Sequence, residues 1–243
     1  MMHQRLQVVW KHLPTVASIA VGILPVVILV VWCDVPRKIV GLGALAYAAG
    51  AVGIKLPFYH LLVVKVLHKR KLSNKSLAFS QGAVSAISEL GAALAFFFFV
   101  VPDLTFAGLI GFGIAAGSVE AVILPFMKNP LEGTPLEAHA EETGKNASEN
   151  MKIQWLGVVE RILASVIHVG ARGLTYIGYS TGNILPVILA IAGFASVDGR
   201  AYYAHLEKWR FDNIRVLTKF YRFLGAVAFS LIVLFVSLYY FLI

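Results

Sequence analysis

Long unbroken apolar runs separated by short polar connections dominate this chain. Val16 to Trp32, Ala83 to Val101, Phe106 to Phe126 and Gly225 to Ile243 approach or exceed the roughly 18 residues needed to cross hydrocarbon. Taken with the weaker runs between them, the pattern predicts helices over 15–33, 38–66, 76–101, 104–127, 153–180, 183–200 and 219–243. A segment in lipid must satisfy its backbone hydrogen bonds internally. Strands manage this only in a closed barrel with alternating polar positions, which these runs lack. The fold class is therefore all-α, a polytopic transmembrane bundle of about seven spans forming one integral membrane domain over 1–243.

Composition fits this picture, with 58% hydrophobic and 14% charged residues and a mean hydropathy of +0.78. The lone Cys33 excludes an intrachain disulfide and any paired-cysteine metal motif. The net charge of +8 does not point to nucleic acid, because the basic residues lie in the connections between apolar spans. Met1 to Pro14 reads as a polar lead into a retained first span.

Lys and Arg also set the orientation. With the N-terminus in the cytoplasm, the inside segments hold sixteen of them and the outside segments only Arg37 and Lys38. This predicts N-in and C-out, in a plasma or inner membrane. The connection 128–152 holds Asn129-Pro130, Gly133-Thr134-Pro135 and Glu137, Glu141 and Glu142, and reads as a cytoplasmic loop. The basic stretches around His68 to Lys71 and from Arg200 to Arg222 face anionic lipid headgroups, and residues 201–218 suit an interfacial helix. Phe96 to Phe99 and Tyr239 to Phe241 read as lipid-facing or interfacial aromatics.

A charge at the centre of a span costs roughly 2.5–3.5 kcal/mol on insertion scales, so each one requires a partner or a purpose. The set is Lys55 in the second span, Glu89 in the third, Glu120 in the fourth, Glu160, Arg161, His168 and Arg172 in the fifth, and Asp198 at the end of the sixth. Glu160, Ala164, His168 and Arg172 recur every four residues and share one broad face, which must point inward. Glu89 and Glu120 are the carboxylates expected opposite His168. An imidazole flanked by carboxylates can hold a metal, zinc for example, or orient a water for attack on a carbonyl. The same residues also suit an internal ionic network that fixes helix register without chemistry. Gly111, Gly113, Gly117, Gly170 and Gly173 are expected to let helices approach closely at this seam.

Several segments, taken in order, resemble the YhfC family of intramembrane-peptidase-like membrane proteins. That family is related to PrsW, to CAAX-prenyl endopeptidase-like proteins and to the anterior-pharynx-defective subunit of gamma-secretase. The segments are Gly43 to Tyr47 with Lys55-Leu56-Pro57, Ser88-Glu89-Leu90-Gly91-Ala92, Gly117-Ser118-Val119-Glu120-Ala121, Glu160-Arg161 followed by His168, and Val197-Asp198-Gly199. The resemblance implies a membrane fold in which Glu89 or Glu120 acts as base and His168 as orienting or electrophilic group. The sequence departs from the family pattern with Ser88 in place of a first Glu, Ala92 in place of an Arg and Phe194 in place of a second His.

Three functions stand open on these residues. One is an intramembrane peptidase with an altered Glu/His site acting on a transmembrane peptide. The second, favoured by the missing residues, is a non-catalytic subunit or scaffold for another membrane protein. The third is a transporter or lipid-binding protein, against which no internal two-fold repeat is visible.

Overall fold

The structure is a computed structural model that describes residues 2–62, 72–123, 147–211 and 213–243, with side chains from residue 13 onward and, in the third of these stretches, from residue 155. Among the described residues there are seven helices and no strand. They are α1 (Met2–Trp32), α2 (Arg37–Tyr47, continuing through a π-helical stretch Ala48–Lys55 to Leu62), α3 (Asn74–Phe99), α4 (Phe106–Ile123), α5 (Ala147–Thr181), α6 (Ile184–Leu206) and α7 (Ile214–Leu242). Six of them, all but α5, are long and apolar enough to cross a membrane, the architecture of a multi-pass membrane protein.

The helix limits follow from local chemistry. Ser73 caps α3 by accepting from the Ser76 amide at 3.2 Å, and Asn183 and Asn213 cap α6 and α7 through the amides of Leu185 and Arg215. Gly182, at φ +67°, makes the tight turn between α5 and α6. The π-helical stretch of α2 precedes Pro57, whose ring removes a backbone donor and disturbs the hydrogen bonds behind it.

Helix α5 is the hub. It packs against α1, α3, α4, α6 and α7, while α3 pairs closely with α6 and α2 with α4. From residue 167 to 178 every α5 residue is buried, the signature of a helix with no outer face. Toward the C-terminal end of α5, Leu174 and Ile177 join Phe97, Leu109, Phe112 and Phe235 in the main apolar core. There Tyr176 binds the connection between α3 and α4, accepting from the Leu104 amide at 2.9 Å and donating to the Pro102 carbonyl at 3.2 Å.

Small residues bring the neighbours close. A Cβ on Gly113 or Gly117 of α4 would fall within 3.0 Å of the α5 backbone at Val169 or Ser165. One on Gly50 of α2 would lie 2.7 Å from the Glu89 Cα. Glycine thus lets α4 approach α5 and α2 approach α3, the helix pairs across which Glu120 meets Arg161 and His168 and Lys55 meets Glu89.

Three expectations need correction. Residues 201–218 do not form a separate interfacial helix. Instead α6 continues to Leu206, a turn with Lys208 at φ +49° follows, and α7 starts at Ile214 because Asn213 caps it there. Phe97 is not lipid-facing. The helical period turns it inward against Phe112 and Tyr176 while Phe98 and Phe99 stay exposed. Helix α5 begins at Ala147, inside the expected 128–152 loop, and the rest of that loop lies outside the described residues. So do the ends of the second and fourth expected spans, and the basic run from His68 to Lys71.

Candidate functional site: a buried chain of charges

All eight ionisable groups expected inside the spans fall into one connected chain, drawn from α2, α3, α4, α5 and α6. At one end Lys55 Nζ lies 3.3 Å from Asp198 Oδ2 and 3.2 Å from Glu89 Oε1. Glu89 Oε2 meets Arg172 NH2 at 3.5 Å. Arg172 NH1 contacts His168 Nδ1, one turn earlier on α5. His168 Nε2 is 2.7 Å from Glu120 Oε2, whose other oxygen accepts from Arg161 NH1 at 2.8 Å. Arg161 NH2 then donates to Glu160 at 3.1 Å. Along α5 the chain runs from Arg172 back to Glu160, about 18 Å at 1.5 Å per residue.

The middle of the chain is the driest. Arg172 is 0% exposed, and Glu89 and His168 are each 2% exposed. Lys55, Glu120 and Asp198 are wetter, with side chains 23%, 23% and 29% exposed, while Arg161 is 5% exposed. The Tyr47 ring stands edge-on to His168 at 5.6 Å, and the Phe194 ring lies 5.3 Å from it.

Each candidate catalytic group is already engaged. Both ring nitrogens of His168 have partners, one cationic and one anionic. Glu89 accepts from Lys55, Ser85 and Arg172. Glu120 sits between His168 and Arg161. For a metal at His168, no group of three His, Cys, Asp or Glu side chains among the described residues is placed to hold one.

Three residues at this site were not singled out from the sequence as part of it. Ser85, fully buried, reaches both Glu89 at 3.4 Å and Asp198, tying α3 to α6. Its signal was its position one turn before Glu89. Tyr59 and Tyr202 join hydroxyl to hydroxyl at 3.1 Å, each one turn beyond Lys55 and Asp198 on its own helix, so α2 and α6 are linked twice at the same spacing.

Fold and site together define a class, a multi-pass helical membrane protein with a paired ionic chain through its centre. Compared with known proteins, the chain matches no family model, no curated protein and no solved structure.

Proposed function

We propose that this is a non-catalytic membrane subunit or scaffold of the plasma or inner membrane, with seven spans, N-in and C-out. The observation that carries the reading is the saturation of His168, whose two ring nitrogens are held by Glu120 and Arg172. An imidazole between a carboxylate and a guanidinium has no lone pair left for a water or a metal. The bias of Lys and Arg toward one side supports the orientation. Helix α5 counts as the seventh span because Arg161 and Arg172 are paired with carboxylates of neighbouring helices and Leu174 and Ile177 near its C-terminal end join the apolar core. Descent from a YhfC-like fold is supported by the convergence of the resembling segments, since Lys55, Glu89, Glu120, His168 and Asp198 all belong to one chain of contacts.

The test is purification from membranes in mild detergent with native lipid, followed by the mass of the intact particle and an assay with a transmembrane peptide. The expected result is a stoichiometric complex with another membrane protein that falls apart in Glu160→Gln or Arg172→Leu, together with no peptide hydrolysis. A lone stable monomer that cleaves the peptide, with cleavage lost in His168→Ala, overturns the proposal.

A second reading, an intramembrane peptidase with an altered site, draws on one observation. The Glu120 and His168 pair at 2.7 Å is the kind of carboxylate and imidazole that orients water, and the Glu120 side chain is 23% exposed. Hydrolysis of a transmembrane peptide by the purified protein, abolished in a folded Glu120→Gln variant, is the outcome this reading predicts and the scaffold reading does not.

A further inference from the structure

Arg200 differs from the other cations within the bundle. Lys55, Arg161 and Arg172 each hold a carboxylate, whereas Arg200 makes no hydrogen bond or ion pair with any described residue. Its side chain leaves α6 near the helix's C-terminal end and lies against two aromatic rings. The guanidinium carbon is 5.4 Å from the Trp209 ring in the α6–α7 turn and 4.4 Å from the Phe223 ring on α7. Nε is buried without a partner.

A guanidinium packed on rings keeps edge N–H donors for a bidentate acceptor. The surroundings select a negative one. Lys219, one turn before Phe223 on α7, is exposed on nearly the same face, and Arg222 is exposed beside it. The nearby Glu207 points away, accepting from Asn74 at 3.1 Å, and Asp212 lies outside the described residues. Tyr203 meets Trp209 edge-on at 6.1 Å, so the rim carries the two aromatic types enriched at headgroup level.

We propose that Arg200, packed against Trp209 and Phe223 and assisted by Lys219, is a binding site for the phosphate of an anionic phospholipid. The Arg fork takes two phosphate oxygens, Lys219 supplies a second positive charge, and the rings line the path of the glycerol and first acyl carbons. The site is separate from the central ionic chain and does not depend on whether that chain is catalytic.

The test uses the full-length protein, stripped of lipid in a neutral detergent and titrated in turn with dihexanoyl phosphatidylglycerol, dihexanoyl phosphatidylcholine and inorganic phosphate. Thermal unfolding midpoint and tryptophan fluorescence are the readouts. Phosphatidylglycerol is expected to raise the midpoint saturably, with the other two ligands inert over the same range. Arg200→Gln is expected to weaken the apparent affinity about tenfold or more, as loss of a charge-assisted bidentate contact does. Arg200→Lys falls between, and Lys219→Gln costs a smaller factor. Should Arg200→Gln fail to fold, Arg200→Lys and Lys219→Gln decide the matter. Unchanged phosphatidylglycerol affinity in the folded variants overturns the site. An equal response to phosphatidylcholine overturns the anionic selectivity, and an equal response to inorganic phosphate shows a free oxyanion site and overturns the lipid assignment.

Discussion

Helix α5 solves the problem of burial in two ways along one axis. Its C-terminal end, with Leu174 and Ile177, enters the apolar core beside Phe97 and Phe112. The stretch before it carries Glu160, Arg161, His168 and Arg172 into the same bundle, where Arg161 and His168 meet Glu120, Arg172 meets Glu89, and Glu160 pairs with Arg161. The apolar core needs only shape, and its loss is graded by the volume removed. The charged chain needs specific partners, because a buried charge left alone is penalised far more than the intact pair contributes. The two regions should therefore answer differently to mutation.

The largest effect is expected at the driest charge. Arg172→Leu leaves Glu89 at 2% exposure with Lys55 alone to offset it, and should cost about 3–5 kcal/mol, the range for a broken buried pair. Reversible unfolding in detergent measures this. In the apolar core, Phe97→Ala on α3 removes a fully buried ring packed on Phe112 and Tyr176, with an expected loss of about 3 kcal/mol by the same measurement. Phe97→Leu should cost clearly less, which a site demanding a specific partner would not allow. At the wetter rim, Asp198→Asn leaves Lys55 with Glu89, and since Asp198 is 29% exposed the loss should be about 1 kcal/mol. Ser73→Ala removes the α3 cap outside both regions and should cost about 0.5–1 kcal/mol.

Much of the charged chain was legible in the sequence, because the cost of a charge in lipid forces each one inward. Glu120 meets His168 for that reason, and the four-residue spacing on α5 places Arg172 beside His168. The order of the chain was not legible. That Glu89 reaches His168 only through Arg172, and that Ser85 joins Glu89 to Asp198, depends on helix register, which periodicity does not specify. The apolar core and the helix limits were the harder to read. Phe96 to Phe99 is uniformly aromatic, and nothing in the run marks Phe97 as the member turned inward. The extension of α6 to Leu206 was hidden by its mixture of Tyr, His and charged residues, which resembles an interface segment until Asn213 is seen to cap the next helix.

The claim on which both the scaffold reading and this contrast depend is that the central charges act as one mutually compensating unit. A double-mutant cycle between Glu89 and Arg172 tests it most directly, with unfolding free energies measured for Glu89→Leu, Arg172→Leu and the pair together in one detergent. The expected result is strong coupling, with the double variant recovering at least about half of the stability lost by Arg172→Leu alone, because apolar replacement of both partners removes the stranded charge. Losses that simply add would contradict the account, since each residue would then be supported independently of the other.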